Sequence, residues 1–304
     1  MGSVSVIIPY YGLCDTRRLK LATKSILDQK GVNIELIVGK SYESLKIKNV
    51  SEVDVLAEAK SKEIIPTGGV INQALRIAEG NYTYVSDADI IFRTQTFFGE
   101  LIDFSKKLQD KALKRPPMRR LLLEDFDVFY RLTNESSLAK AIESFDCSQD
   151  YVIKPRGADR PMRIFPKFEK GKQKFFIASE KDFQEYISDE RNKGLEPKFF
   201  NQDRHCGATF APTNVLRNIG GYCESFISWG VWDADAQWKL ESSIGINLIP
   251  KSESFEVIHL DHYKGYFDRE KWVKDKAIQK VRRNQGYELS IEQDRLVYLR
   301  GEND

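Results

Sequence analysis

Residues 81–92, NYTYVSDADIIF, decide how the rest of the chain is read. Tyr82, Tyr84 and Val85 favour an extended strand, and Ile90, Ile91 and Phe92 restore apolar character beyond the acids. Between them stands Asp87-Ala88-Asp89. In an extended backbone, residues two apart point to one side, so both carboxylates are expected to face a single ion or ligand. Open α/β sheets gather ligands at the carboxyl ends of their strands, where this pair would lie. A bare Asp-x-Asp is more often a polar strand end or an Asx-turn. Its surroundings have to raise it.

Toward the N-terminus the surroundings do so. VSVIIP (4–9) has the pattern of a buried first strand, which Pro9 is expected to end before the turn Tyr10-Tyr11-Gly12. Asp15 or Thr16 can cap a helix with Leu19, Ala22, Ile26 and Leu27 at helical spacing, stopped by Gly31. IELIV (34–38) supplies a second strand. Strand, helix, strand in this order predicts a right-handed parallel βαβ unit. A weaker βα unit spans 53–65, and Gly68-Gly69 precedes a helix with Ile71, Leu75 and Ala78 on one face, closed by Gly80. The first 92 residues thus read as half of a doubly wound α/β domain that binds a nucleotide.

Beyond the motif the pattern loosens. An amphipathic helix is expected over 97–113, then a basic, Pro-broken link over 114–120. The basic stretch 154–174 reads first as a solvated loop and second as an anion site. Order returns with CGATFAPTNVLRNIGGY, a strand, a short helix from Pro212-Thr213 and a Gly220-Gly221 turn. Next come an aromatic loop, a helix opening at Asp233, the strands INLIP and FEVIHLDHY, and a charged helix over 268–285 capped by Asp268. The expected division is 1–96, a nucleotide-binding half; 97–205, a variable insertion; and 206–304, a second half, all in one compact domain.

Composition narrows the class. With 304 residues, 41% apolar and 30% charged, the chain can bury a full core. A net charge of +2 offers nucleic acid no electrostatic footprint. No apolar run reaches the roughly 20 residues of a membrane span, and the first residues lack the pattern of a signal peptide. Four scattered cysteines with no CxxC spacing read as reduced thiols, which makes the cytoplasm the expected location.

Two further clusters carry chemistry. Two of the chain's three histidines fall in His259-Leu260-Asp261-His262, directly after an apolar run. Asp89 plus an imidazole suits a divalent ion such as Mn2+ or Mg2+, with positions left open for phosphate oxygens. A second Asp-Ala-Asp stands at 233–235, after Trp229-Gly230-Val231-Trp232. Asp233 at a helix start reads as an N-cap, and the same position suits a carboxylate that takes a proton from a hydroxyl. Tryptophan faces beside it are common platforms for sugar rings.

The order of these features resembles the GT-A glycosyltransferases of the family 2 type. VSVIIPYYG, LATKSILDQ, IELIVG and GGVINQALRIAEGNYTYVSDADIIF resemble the N-terminal half of that family. FAPTNVLRNIGGYCESFISWGVWDADAQWKL resembles its galactosyltransferase-like C-terminal module. The resemblance implies a mostly parallel Rossmann-like sheet flanked by helices, and hexose or N-acetylhexosamine transfer from a nucleotide sugar, UDP favoured. The acceptor would be a saccharide, a glycoside or a peptide. Pro9, Tyr10, Tyr11, Asn72 and Asp87 would contact the nucleotide, Asp89 and His259 the metal. Asp233 would be the catalytic base of an inverting displacement. Trp229, Gly230, Trp232 and His262 would line the sugar and acceptor side. Two departures stand out: the acidic residue expected after the second strand is replaced by Gly39-Lys40, and the signature's Glu is Trp232. The rival readings are a nucleotidyltransferase of related fold and a non-catalytic sugar-binding relative. The first would want a Gly-rich basic loop after strand one, which Pro9-Tyr10-Tyr11-Gly12 is not.

Overall fold

The computed structural model describes residues 2–10, 16–40, 51–54, 67–121, 125–144, 151–153, 162–169, 172–177, 204–228, 230–260 and 269–300. In chain order the strands are β1 (Ser3–Tyr10), β2 (Asn33–Lys40), β3 (Ser51–Asp54), β4 (Tyr82–Val85), β5 (Ile90–Phe92), β6 (Ala112–Lys114), β7 (Met118–Leu121), β8 (Tyr151–Ile153), β9 (Met162–Glu169), β10 (Lys172–Ile177), β11 (Thr209–Pro212), β12 (Ile246–Leu248) and β13 (Val257–Leu260). The helices are α1 (Thr16–Leu27), α2 (Thr67–Ile77), α3 (Phe97–Lys107), α4 (Phe126–Glu135), α5 (Leu138–Ser144), α6 (Thr213–Asn218), α7 (Trp232–Ser243), α8 (Arg269–Gln285) and α9 (Tyr287–Arg300).

The main sheet runs β12-β6-β11-β4-β1-β2-β3, with β4, β1, β2 and β3 parallel and β11 antiparallel to both its neighbours. Side-chain alternation on β1 explains how both faces are covered. Val4, Val6, Ile8 and Tyr10 join a core with Leu19, Ala22 and Ile26 of α1 and Phe97, Phe98 and Leu101 of α3. Ile7 points the other way, into a core with Ile71, Ala74 and Leu75 of α2 and Leu216 of α6. A fully buried Ile is worth about 2–3 kcal/mol, so a strand apolar on both faces strongly favours this sandwiched position. A small sheet, β5-β13-β7, packs its own cluster against α4 and α5. β8, β9 and β10 form a third, antiparallel sheet where the sequence reads as loop.

Several sequence expectations change. Pro9 does not end β1. Pairing with β4 stops at Ile7, so Pro9 has only β2 beside it, and an imide without N–H is tolerated there. The helix expected to follow Gly68-Gly69 begins at Thr67 and includes both glycines. A Cβ on Gly68 would meet the Cys223 carbonyl at 2.4 Å, so this turn of α2 requires glycine. The expected helix over 97–113 ends at Lys107, and the expected link over 114–120 becomes the end of β6 and most of β7. Phe97, Phe98, Leu101, Leu113, Met118 and Leu121 of this stretch are buried in the core. α9, unread in the sequence, follows α8 after Gly286, whose φ is +93°.

Candidate active site

The strand registers assemble the site. β11 pairs antiparallel with β4, Thr209 opposite Val85, so residues before β11 run alongside those that follow β4. This brings Gly207 and His205 to Asp87. His205 Nε2 lies 2.8 Å from Asp87 Oδ2, and a Cβ on Gly207 would stand 3.1 Å from the same oxygen. On the other side, β13 sets His259 opposite Ile90 of β5 and beside Arg120 of β7. The Leu260 N–H donates to the Asp89 carbonyl at 2.7 Å, and His259 Nε2 faces Asp89 Oδ2 at 3.4 Å.

The two acids do not share one strand face. β4 ends at Val85, and Ala88 and Asp89 lie in a turn before β5. Each carboxylate instead meets its own histidine, Asp87 half-buried and Asp89 buried.

Asp89 and His259 offer an oxygen and a nitrogen in contact, which suits a divalent ion. One feature of the pair opposes it. Arg120 Nη1 lies 3.3 Å from His259 Nδ1, and a guanidinium only donates, so Nδ1 accepts and the ring proton sits on Nε2. Metal ligation through Nε2 requires the proton on Nδ1, and hence Arg120 displaced. Among the described residues no group of three His, Cys, Asp or Glu side chains is placed to hold a metal. The pair fits an ion whose remaining ligands come from elsewhere.

Asp233 lies in the first turn of α7 rather than at the cap, which is Val231. Its Oδ1 accepts from the Ala234 N–H at 2.7 Å. Burial pushes its carboxyl up to about 6 from the ordinary 3.8. The Ala234 N–H opposes that rise, Asp87 adds to it, and Arg115 and His205 pull it back. Asp233 thus feels Asp87 and His205 across the same site. Asp235, two residues further into α7, is wholly buried and bound by Arg282.

Other expected residues land elsewhere. Pro9 and Tyr10 are buried at the carboxyl end of β1, in register with Gly39 and Lys40. Gly39 has a packing cause: a Cβ there would stand 2.4 Å from Val70 Cγ1 of α2, leaving no room for an acidic side chain. Asn72 is buried and wholly spent on a turn. Its Nδ2 donates to Tyr222 O (2.9 Å) and Glu224 Oε1 (2.7 Å), and its Oδ1 accepts from the Tyr222 N–H (2.8 Å). Its side chain is thus engaged within the fold. Trp232, expected on the sugar side, is buried in the core against Tyr222, ring centroids 5.7 Å apart. Gly230, with φ +88°, is half-buried just before α7. Tyr11, Trp229 and His262 lie outside the described residues.

Sequence reasoning missed His205 and Arg115. The signal for His205 was its place just ahead of β11; for Arg115 there was none, its mark being a φ of +57° that non-glycine residues seldom adopt.

No protein-family model and no curated protein matches the sequence. Solved structures do. TarS 1–349 from S. aureus is similar at 12% identity, over 92% of this chain and 64% of that one, with a TM-score of 0.50. The likeness is one of fold. The S. aureus TarS structure matches at 11% identity over 92% of this chain and 39% of that one, TM-score 0.47. Mannosyltransferase PcManGT from Pyrobaculum calidifontis, in complex with GDP-Man and Mn2+, matches at 14% over 91% and 61%, TM-score 0.45. The chain thus spans less than two thirds of each of these structures. The mixed α/β architecture is similar to that of TarS 1–349. No helix among the described residues is long and apolar enough to cross a membrane.

Proposed function

We propose that this chain is a metal-dependent, inverting glycosyltransferase that moves a hexose or N-acetylhexosamine from a nucleotide sugar, UDP favoured, to a hydroxyl of a saccharide, glycoside or peptide. The observation that carries the reading is the Asp89–His259 pair, two residues along the chain from Asp87, whose charge acts on the buried carboxyl of Asp233. The fold likeness adds to it.

In this reading Asp89 and His259 hold Mn2+ or Mg2+, and Asp87 contacts the donor. The bound ion would neutralise charge on the departing diphosphate. Asp233 takes the proton of the acceptor hydroxyl, whose oxygen bonds to the anomeric carbon as the bond to the donor phosphate breaks on the opposite face. A carboxyl raised to about 6 is a stronger base than an exposed one and is still ionised at neutral pH. Pro9 and Tyr10 border the donor; Gly230 and the residues beside it border the acceptor.

The test is melting of the full chain with UDP, GDP and their sugars, each with and without Mn2+. A ligand at 100 times its dissociation constant stabilises by about 2.7 kcal/mol. A shift for one nucleotide that requires Mn2+ supports the reading and names the base; no shift with any of them removes it.

A further inference from the structure

His205 has no role in the reaction above, yet it is built into the site. It is buried, donates from Nε2 to Asp87 Oδ2, and its buried Nδ1 has no hydrogen-bond partner among the described residues. A ring nitrogen facing a carboxylate carries the proton, so the contact is an N–H donating to a charged oxygen, stronger than a neutral hydrogen bond.

The backbone that carries the imidazole is held from behind. The His205 N–H donates to Pro116 O at 3.0 Å. Its neighbour Arg204 forms a bridge to Pro117 and donates from Nη1 to the carbonyls of Arg115 and Ile249, each at 2.7 Å. Gly207 closes the other side, since a Cβ there would stand 3.1 Å from Asp87 Oδ2 and 3.5 Å from His205 Nε2. Asp87 follows the end of β4, and His205 precedes β11; both lie outside regular elements. The imidazole, brought there by the ties of Arg204 and His205, bears on one oxygen of the carboxylate and restrains its rotation. One oxygen of Asp87 is occupied by this contact, which leaves Oδ1 to a ligand.

We propose that His205 is a positioning residue for donor binding, holding the Asp87 carboxylate in its receiving orientation. The proposal rests on the reading of Asp87 as a donor contact. Pre-setting a carboxylate spares the ligand the cost of ordering it, so the effect falls on nucleotide affinity.

The test titrates UDP and GDP, each with Mn2+, into the full chain as wild type, His205→Ala, His205→Gln, Asp87→Ala and the Asp87→Ala/His205→Ala double variant. His205→Ala is expected to weaken binding about tenfold. His205→Gln, whose amide N–H reaches toward Asp87, should recover most of that loss. The double variant should bind no more weakly than Asp87→Ala alone, because the histidine acts only through that carboxylate. His205→Asn, too short to reach, replaces the alanine variant should the latter not fold. Full affinity in His205→Ala, or losses that add in the double variant and are not recovered by Gln, would overturn the proposal while Asp87 keeps its role. A wild type that binds neither nucleotide removes the transferase reading itself, and this proposal with it.

Discussion

Arg282 grips Asp235 through two hydrogen bonds, Nε to Oδ1 at 3.2 Å and Nη2 to Oδ2 at 3.0 Å, with the carboxylate wholly out of solvent. The same guanidinium reaches Asp294 at 2.6 Å, and Lys239 Nζ reaches that carboxylate at 2.6 Å. Lys239 also donates to the carbonyls of Ile219 (3.1 Å) and Gly221 (2.7 Å). Two positive and two negative groups thus lock α8 and α9 onto α7. Two acids of one Asp-Ala-Asp have opposite fates: Asp235 is tied into structure, and Asp233 is buried with no cationic side chain bonded to it among the described residues.

Asp235→Ala should destabilise the fold by about 3 kcal/mol, the lower end of the cost of breaking a buried ion pair, because Arg282 keeps its two hydrogen bonds to Asp294. Urea denaturation reads the change. An unmoved midpoint would mean that the network contributes nothing.

Asp233→Asn keeps the size of the side chain and removes its basicity. Turnover should fall by a factor of about 10² to 10⁴, with nucleotide binding in the presence of Mn2+ unchanged. Steady-state rates and calorimetry separate the two. Near-normal turnover would eliminate Asp233 as the base, and Asp235, bound to Arg282, could not replace it.

The raised carboxyl of Asp233 also fixes a pH dependence. Its folded value, about 6, exceeds the ordinary 3.8, so the native state holds this proton more tightly than the unfolded chain does. The stability it contributes is complete below pH 3.8 and is lost as pH rises through about 6. At pH 8 Asp233→Asn should therefore be the more stable protein, by on the order of 3 kcal/mol. The rate should move oppositely, rising with an inflection near pH 6 as the base ionises. A wild-type rate flat from about pH 5 to about pH 7, on the order of one unit either side of that value, would contradict the assignment.

His259→Ala should weaken Mn2+ binding by about tenfold or more, and Asp89→Ala should abolish it. Arg120→Met should tighten it, since the donor facing Nδ1 at 3.3 Å is gone and the ring is free to place its proton there. Titrations followed by Mn2+ resonance measure all three. Unchanged affinity in His259→Ala would point to another imidazole.

Asn72→Ala removes three hydrogen bonds to the 222–224 turn and strands the Tyr222 N–H and C=O in the interior. A loss of about 2–3 kcal/mol of stability is expected, with nucleotide affinity of the folded fraction unchanged. A selective fall in affinity at unchanged stability would return Asn72 to the donor site.

Much of this molecule is legible in its sequence because periodicity is local. The alternation on VSVIIP, the helical spacing of Leu19, Ala22 and Ile26, and the apolar flanks of Asp87-Ala88-Asp89 depend on neighbours within a few residues, and β1, α1 and β4 follow from them. Register does not work that way. Asp87 and His205 are 118 residues apart, joined only because β11 returns antiparallel with Thr209 opposite Val85. His259 meets Asp89 only because β13 lies between β5 and β7. In the chain, Asp233 and Asp235 are one motif read twice, and Trp232 and Asn72 look as available as any polar or aromatic residue. Burial against α8 and α9 gave Asp235 a cation and left Asp233 to the site, while the cores behind α2 and α7 took Asn72 and Trp232. The local sequence sets which elements form; which side chain each element turns toward solvent, core or site is settled by pairings between distant strands and helices, whose energies no short window contains.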